Sequence, residues 1–410
     1  MSVDVQPSHI DQIKQTNVGL IYRLIDQHGP ISRIALSKKA QLAPASITKI
    51  TRELIDAHLV KETEFPDLGF RGRPAIGLKV ESERWQFLCI RINKSTITIA
   101  LRELKDNLVV EEEIPFLMTQ SQLFLNCLAD KMDDFFFRHQ SVIERLTAIS
   151  IIINAPVDPI NGIIRNLTYC SNMQDIPLKE FLHHRTGLPI FLQHSITAWT
   201  IAEFLYGAGK NCQNLIQLVI DDNVAAGVIT AGQILHAGQH GVVEIGHTQI
   251  DPEGEPCYCG NIGCLETVVS IKNILAKTRY LAERCLDTLT YAIVSNKSLT
   301  IDSLCQSVID GDSLAIEIIH DTGEHIGRIM ALMVNIFNPE KILIGSPLNG
   351  VKHILYPAMQ QQIAQRSLPG YSQQIDIVAT QFDNTGTLPA AALIKQSLYN
   401  GELLIALMQG

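Results

Sequence analysis

The segment between Glu244 and Glu266 constrains the fold of this chain more than any other, because it places three cysteines within eight positions. A histidine lies just upstream, and three thiolates with one imidazole complete a tetrahedral zinc shell that leaves no ligand position for water. Gly260 and Gly263 let the backbone bend tightly enough to aim all four side chains at one point. We therefore predict one structural Zn²⁺ per chain, with ordinary buried thiols as the alternative. The predicted ligands are His247, Cys257, Cys259 and Cys264.

Length and composition are those of a globular protein with two or three domains, since the chain has 410 residues and is 46% hydrophobic and 18% charged. The other cysteines lie among apolar neighbours without a framework spacing, so buried thiols in a reducing compartment are expected. They are Cys89, Cys127, Cys170, Cys212, Cys285 and Cys305. The N-terminus has no signal-peptide pattern, and no stretch approaches the ~20 apolar residues of a membrane span. We expect a cytoplasmic protein.

The net charge of −9 is unevenly distributed along the chain. Residues 1–81 hold 11 Lys and Arg against 9 Asp and Glu, whereas the remainder holds 22 against 33. An acidic body argues against nonspecific coating of nucleic acid. The mildly basic first segment still permits a local DNA-binding module.

Residues 1–81 have the pattern of a winged helix-turn-helix. After a first helical pattern, a second begins at the N-cap candidate Ser32, and Pro44 can occupy the first position of a third helix. The third helix would bury its aliphatic side chains and expose hydroxyl and basic ones, Thr51 among them. That arrangement is typical of a recognition helix in the major groove of DNA.

Two short strand patterns then flank the tip Arg71-Gly72-Arg73. A glycine between two arginines lets both guanidinium groups enter a narrow minor groove. Taken separately, the polar face of the third helix could simply be solvated, and the tip could be a turn between domains. The order of the helices, strands and tip along the chain favours binding to operator DNA. The predicted DNA-binding residues are Ser46, Thr48, Lys49, Arg52, Arg71 and Arg73.

After residue 85 the pattern changes to that of an α/β body with two similar strand-rich halves. The first half has three strand patterns, a helix around Ser121–His139 and the buried strand Leu146–Ile153. The second half repeats the strand pattern from Leu215 and includes a long helix near Leu314–Phe337. This long helix is a candidate for contacts between protomers, with packing inside the body as the alternative.

Together these segments resemble the ROK family, which contains repressors and sugar kinases, and the resemblance is closest to its repressors. It rests on Ile10–Asn17, Gln41–Lys49, Gly72–Ala75 and Cys257–Glu266 and covers essentially the whole chain. It implies an α/β fold with an N-terminal winged helix-turn-helix, a two-lobed actin-like ATPase body and a zinc loop. It also implies a repressor of sugar (glucose) uptake and phosphotransferase-system genes. The implied domains are a DNA-binding domain over 1–81, a first lobe over 82–195, a second lobe with zinc loop and oligomerisation helices over 196–387, and a C-terminal helix and tail returning to the first lobe over 388–410.

The resemblance argues against sugar-kinase activity, because three elements of the family's kinases are changed. The first phosphate loop, normally Asp-x-Gly-Gly-Thr, reads Arg91-Ile-Asn-Lys-Ser. The catalytic aspartate is replaced by Ser195, whose hydroxyl cannot accept a proton as a carboxylate can. The second phosphate loop, normally Gly-Thr-Gly-x-Gly, runs from Asp222 to Gly227 with bulkier side chains and an added negative charge. We predict no catalytic residue, and a sugar kinase with an added head is the less favoured alternative.

The sugar-binding positions of the family are better preserved. Two glutamates and a histidine contact sugar hydroxyls in the family, and the matching residues are Glu244, His247 and Glu266. His247 would bind zinc through one ring nitrogen and donate from the other to a ligand or to a neighbouring acceptor. The alternative is that both glutamates only orient the zinc loop.

The resemblance leaves two ways of release from DNA. Some family repressors respond to a sugar phosphate such as N-acetylglucosamine 6-phosphate. Others are drawn to the membrane by the dephosphorylated cytoplasmic domain of the glucose permease of the phosphotransferase system. The changed loop at Asp222–Gly227 favours the second route, as do the consecutive phenylalanines 135–137, because one helix face cannot bury all three. By family position, Phe136 is the predicted anchor for this partner; the alternative is that all three are packed.

Helix-turn-helix domains read half-sites in pairs, so we expect a homodimer or homotetramer on a near-palindromic operator. Residues 401–410 form an apolar segment too short to span a bilayer. We expect it to dock on the body or against the DNA-binding domain, where it would couple effector state to DNA geometry.

Overall fold

The computed structural model describes residues 9–64, 76–82, 85–105, 107–116, 121–165, 175–235, 241–285, 288–372, 375–383 and 385–409. The chain divides into two compact units. The first contains Met1–Ser195 and Gly386–Gly410, and the second contains Ile196–Thr385. Of the helices in the described ranges, none combines the length and apolarity required to cross a membrane.

The first unit begins with a head of three helices, α1 (His9–His28), α2 (Arg33–Ala40) and α3 (Pro44–Asp56), and two strands, β1 (Val60–Glu64) and β2 (Ile76–Val80). The Ser32 hydroxyl caps α2 by accepting a hydrogen bond from the backbone N of Ala35 at 3.2 Å, as its sequence position predicts. Pro44 opens α3, and β1 and β2 pair antiparallel. These are the elements of a winged helix-turn-helix. The tip with Arg71 and Arg73 lies outside the described residues.

The first lobe, in the same unit, is built on a five-stranded sheet of order β5-β4-β3-β6-β9. The strands are β3 (Gln86–Ile92), β4 (Thr96–Glu103), β5 (Leu108–Pro115), β6 (Leu146–Ile153) and β9 (Ile190–His194), with a short ribbon of β7 (Val157–Asp158) and β8 (Ile163–Ile164). The helices are α4 (Ser121–His139), α5 (Leu178–Thr186) and, from the C-terminal segment, α14 (Leu388–Tyr399) and α15 (Glu402–Gln409). Every residue of β3 is buried, since helices cover both faces of this sheet.

The second lobe repeats this sheet with the order β12-β11-β10-β13-β14. The strands are β10 (Leu215–Ile220), β11 (Val224–Thr230), β12 (Gln233–Ile234), β13 (Lys341–Gly345) and β14 (Asp376–Ala379). The helices are α6 (Ser195–Tyr206), α7 (Glu266–Val269), α8 (Ile271–Ala282), α9 (Leu289–Ser295), α10 (Ile301–Ile309), α11 (Ser313–Phe337), α12 (Lys352–Arg366) and α13 (Pro369–Ser372). The long helix α11 packs closely on α12, where Gly323 and Gly327 leave room for the α12 backbone.

The two sheets share one topology. In each, the first three strands form an antiparallel meander, and two later strands add in parallel beside the first strand. Two copies of the same α/β arrangement confirm the predicted fold class of the body.

The cysteines follow their prediction in part. Among the described residues no disulfide occurs, and Cys89, Cys212 and Cys305 are buried. Cys285 is exposed, so its prediction as a buried thiol is wrong; it follows the end of α8, where the chain turns at the surface. Cys170 lies outside the described residues.

Candidate metal centre and DNA-binding surface

The four predicted zinc ligands lie together in the second lobe. His247 ends a short 3₁₀ turn (Ile245–His247), and the three cysteines follow on a loop that leads into α7. One donor atom from each of the four residues lies within 4.8 Å of all the others. The structure therefore brings the whole predicted ligand set to one point.

The distances between these atoms have the scale of a zinc tetrahedron. Cys257 Sγ is 3.5 Å from His247 Nδ1, and Cys259 Sγ is 3.7 Å from Cys264 Sγ. Zn–S bonds of about 2.3 Å and a Zn–N bond of about 2.0 Å give tetrahedron edges of about 3.8 Å between sulfurs and about 3.5 Å between sulfur and nitrogen. Four protein ligands leave no position for water or substrate. The donor set thus fits a closed, structural Zn²⁺ site.

The protonation of the Cys264 thiol is linked to metal binding at this point. Burial raises the pKa of the Cys264 thiol to about 12, because a poorly solvated thiolate is costly. A thiol with such a pKa stays protonated at neutral pH unless a metal ion compensates its charge. Metal binding would therefore release a proton from the Cys264 thiol.

The backbone of the zinc loop is folded by local contacts. The backbone N of Cys257 donates to Asn261 O at 2.8 Å, which closes the turn that carries Cys259. Gly263 has φ +62°, and a Cβ at this position would overlap the Asp251 carbonyl oxygen. A side chain at residue 263 is excluded both by conformation and by space.

Tyr258 fixes the ring orientation of His247. Its hydroxyl oxygen lies 3.1 Å from His247 Nε2, and the two rings meet edge to face with centroids 5.1 Å apart. With Nδ1 bound to zinc beside the sulfur atoms, Nε2 would carry the proton and donate a hydrogen bond to the Tyr258 hydroxyl. An acceptor for the second nitrogen of His247 was predicted, but Tyr258 was not identified as that acceptor. Its position between two cysteines was the indication in the sequence.

The two glutamates of the predicted sugar site differ in environment. Glu266 is 5% exposed, and its Oε2 accepts a hydrogen bond from the backbone N of Val224 at 2.8 Å. Glu244 is exposed and immediately precedes the 3₁₀ turn of His247. One Glu266 oxygen therefore links the zinc loop to β11, a role that the alternative interpretation assigns to both glutamates.

The segment Asp222–Gly227, which matches the second phosphate loop, ends in a strand, because its last four residues begin β11. Val224 to Gly227 pair with β10 inside the sheet. The amide of Val224 donates to Glu266, and that of Ala226 donates to Val243 O at 2.9 Å. Gly227 is required by packing, since a Cβ there would overlap the Thr200 side chain of α6. These amides are committed to the fold, so they do not form a phosphate-binding nest.

The other two kinase elements are also changed in structure. Arg91 is buried at the end of β3, where its Nε donates to Asn93 Oδ1 at 3.1 Å and burial lowers its pKa. Ser195 is 2% exposed, and its hydroxyl has no hydrogen-bond partner among the described residues. Burial lowers the pKa of the adjacent His194 to about 4, so this imidazole is neutral at pH 7. No carboxylate stands at the position of the catalytic base.

The predicted recognition surface is formed by one face of α3. Ser46, Thr48, Lys49 and Arg52 are all exposed, while Ile47, Ile50 and Leu54 are buried below them. Thr51 was expected on the exposed face, and this is wrong. Its side chain is fully buried, accepts a hydrogen bond from Arg33 Nε at 3.1 Å and thereby ties α3 to α2.

Two exposed lysines that sequence reasoning did not select, Lys38 and Lys39, lie in the last turn of α2. They precede the turn into α3, so they add positive charge next to the predicted recognition helix. Consecutive lysines in the helix before a recognition helix were the signal in the sequence.

The three consecutive phenylalanines lie on α4. Phe135 is fully buried, Phe136 is partly buried against the core of the first lobe, and Phe137 is 76% exposed. The exposed Phe137 confirms the expectation that one helix face cannot bury all three rings. The predicted anchor, Phe136, keeps only part of its ring accessible.

Known proteins are similar to this chain over its whole length. A family model described as the ROK family matches residues 87–397. The DNA-binding transcriptional repressor Mlc of Escherichia coli strain K12 is 52% identical over 410 residues, which is 100% of both chains. The DNA-binding transcriptional dual regulator NagC of the same organism is 34% identical over 407 residues, or 98% of each chain. A crystal structure of a ROK family transcriptional regulator, a homolog of E. coli Mlc, aligns with a TM-score of 0.90 at 40% identity, covering 98% of this chain and 100% of that chain.

Proposed function

The chain belongs to the ROK family, and we propose that it is a DNA-binding transcriptional repressor of sugar-uptake and phosphotransferase-system genes. The observation that carries this proposal is the identity of 52% to a repressor over all 410 residues, which includes the winged helix-turn-helix head. The exposed hydroxyl and basic side chains of α3 supply a surface suited to base edges and phosphates in the major groove.

In this proposal the head divides its contacts between two grooves. Ser46, Thr48, Lys49 and Arg52 lie in the major groove, and the wing residues Arg71 and Arg73 enter the minor groove. Lys38 and Lys39 approach the phosphate backbone, which strengthens binding without reading sequence. Paired heads of a homodimer or homotetramer would read the two halves of a near-palindromic operator.

Selection of bound fragments from a random DNA library tests this function directly. We expect enrichment of an inverted repeat and an affinity that falls steeply as salt rises, because phosphate contacts release counterions. Arg52→Ala should weaken binding to the enriched site, whereas Arg23→Ala, an exposed head arginine outside α2 and α3, serves as the matched control. If no sequence is enriched and the protein phosphorylates a sugar with ATP, the proposed function is wrong and the sugar-kinase interpretation is correct.

The zinc loop serves the repressor as a structural element. Its ligands, the Tyr258–His247 contact and the Glu266–Val224 hydrogen bond together hold the loop against the start of β11. One Zn²⁺ per chain bound by His247, Cys257, Cys259 and Cys264 would keep this region rigid. Loss of the metal would make the second lobe less rigid around the loop. Repression would weaken as a consequence.

Release from DNA would come from a protein partner, the dephosphorylated cytoplasmic domain of the glucose permease of the phosphotransferase system, which would recruit the repressor to the membrane. The end of α4 offers the exposed ring of Phe137 and the accessible edge of Phe136 as an apolar contact. The exposed acidic side chains of Asp130 and Asp134 lie on the same helix, whereas Asp133 is paired with Arg185. A contact of this kind would favour a partner with an apolar pocket rimmed by basic groups.

Release by a small sugar phosphate is the alternative mode of regulation. It would use Glu244, His247 and Glu266, and the exposed Glu244 is the observation in its favour. The internal hydrogen bonds of His247 and Glu266 oppose it, since both groups already have partners. N-acetylglucosamine 6-phosphate added to the operator complex should leave it intact if the protein partner is the effector.

A further inference from the structure

A buried lysine in the C-terminal segment is neutralised by the head. Lys395, on α14, is 3% exposed. Its Nζ lies 3.0 Å from Oδ2 of Asp26, at the end of α1, and donates to the Leu104 carbonyl oxygen at 2.9 Å. The Tyr399 hydroxyl donates to the same Asp26 oxygen at 2.8 Å.

This arrangement makes the electrostatics of α14 depend on the position of the head. A buried ammonium group requires a compensating charge and hydrogen bonds to its protons. The carbonyl oxygen comes from the first lobe, just after β4, but the carboxylate comes from the head. The charge of Lys395 is therefore compensated by Asp26 only while α1 lies against α14.

The backbones of α1 and the C-terminal segment are also in close contact. The junction of α14 and α15, residues 399–401, is referred to below as the C-terminal corner. A Cβ at Gly19 of α1 would overlap backbone atoms of Tyr399, Asn400 and Gly401. A Cβ at Gly401 would overlap the Gln15 carbonyl oxygen, and Gln15 Nε2 donates to Asn400 O at 3.3 Å. Glycine on both sides lets the two backbones touch, which leaves one crossing position for α1.

The other side of α14 is fixed to the first-lobe sheet. The helix packs on β3 and β6, and Ser150 Oγ, in β6, donates to Ala390 O at 2.6 Å. One rigid helix thus joins the centre of a sheet to the first helix of the DNA-binding head.

We propose that Lys395 and Asp26 are positioning residues for operator recognition. They set the orientation of the head on the first lobe, so that two heads of an oligomer present their α3 helices at one fixed separation. The inference rests on the proposed function as a DNA-binding repressor and adds to it the residues that define half-site spacing. Neither residue touches DNA in this role.

The test uses the full-length protein and operators whose two half-sites are kept while the spacer is changed. The main variant is the double substitution Asp26→Asn with Lys395→Met, which removes the buried charge of Lys395 together with the partly buried charge of Asp26 and leaves neither uncompensated. The wild type should prefer one spacer at least tenfold over a spacer longer by two base pairs. The double variant should bind the preferred operator at least tenfold more weakly and discriminate less than threefold, while its urea unfolding midpoint stays close to that of the wild type.

Two further variants separate positioning from folding. Lys395→Arg, with Asp26 retained, keeps the positive charge at residue 395 and should keep most of the wild-type spacer preference. Tyr399→Phe removes one hydrogen bond to Asp26 without removing a charge, and it should reduce the preference severalfold even if the double variant does not fold. Wild-type spacer preference in the folded double variant, or in Tyr399→Phe, overturns the inference. Failure of the wild type to select an inverted repeat instead overturns the proposed function.

Discussion

Replacement of Gly401 by alanine tests whether the head is held by the C-terminal corner. Gly401 has φ +80°, in the left-handed region, and its missing side chain makes room for the Gln15 carbonyl oxygen of α1. Gly187, which ends α5, has φ +70° but no described atom within 4 Å of an added Cβ. Gly187→Ala therefore carries the same backbone strain without the overlap, and it is the matched control within the same unit.

The magnitude follows from these two contributions. Alanine in the left-handed region costs roughly 1–2 kcal/mol at either position. The overlap with Gln15 adds roughly 1–3 kcal/mol at Gly401 alone, since tightly packed elements must move apart. The difference between the two variants is thus about 2 kcal/mol, which corresponds to about a 30-fold change in a local opening equilibrium.

Hydrogen exchange measured by mass spectrometry reads this opening peptide by peptide. Amides of α1 should exchange about 30-fold faster in Gly401→Ala than in Gly187→Ala, because the overlap at residue 401 weakens the contact between α1 and the C-terminal corner. Peptides from the second lobe should exchange equally in both variants. Equal exchange of α1 in the two variants would refute the view that the corner holds the head.

Three further predictions concern the metal, the partner surface and the missing chemistry. Cys257→Ser should lose zinc, measured by atomic emission, and should lose repression of a reporter gene; a repressing, metal-free variant would contradict the structural role of the metal. Phe137→Ala should weaken binding of the permease domain by roughly 2 kcal/mol, or about 30-fold in calorimetry, as expected for a desolvated anchor. Phe136→Ala should weaken it as well but also lower thermal stability, because its ring packs on the core; unchanged permease binding in both variants would exclude this surface. Ser195→Asp restores only one of three changed elements, so it should show no sugar phosphorylation in a coupled ATPase assay, and measurable turnover would refute the argument from the two loops.

Local signals in the sequence account for the features that were predicted correctly. Ser32 and Pro44 mark helix starts through capping and backbone conformation, which act over a few residues. The four predicted zinc ligands are close in sequence, and the structure brings their donor atoms together around one centre. Strand and helix periodicity likewise indicated two similar halves, and the equal order of the two sheets bears this out.

Features that depend on distant residues were missed or misplaced. Thr51 was assigned to the exposed face because its side chain is polar, although its spacing from Ile47 and Leu54 places it on the buried face of α3. There the distant Arg33 supplies its hydrogen-bond donor. The three phenylalanines could be counted, yet which of them stays exposed depends on how α4 packs on the sheet. Lys395 and Asp26 lie 369 positions apart, and nothing in the local sequence of either indicates the other.

The repressor itself is tested most directly by fluorescence anisotropy of a labelled palindromic operator with the zinc-loaded protein, titrated with the dephosphorylated permease domain. A parallel titration uses N-acetylglucosamine 6-phosphate. We predict tight binding to the operator, release to the anisotropy of free DNA by the permease domain, and no release by the sugar phosphate. A protein that binds the operator no better than random DNA of equal length would contradict the proposed function, and release by the sugar phosphate alone would contradict the proposed switch.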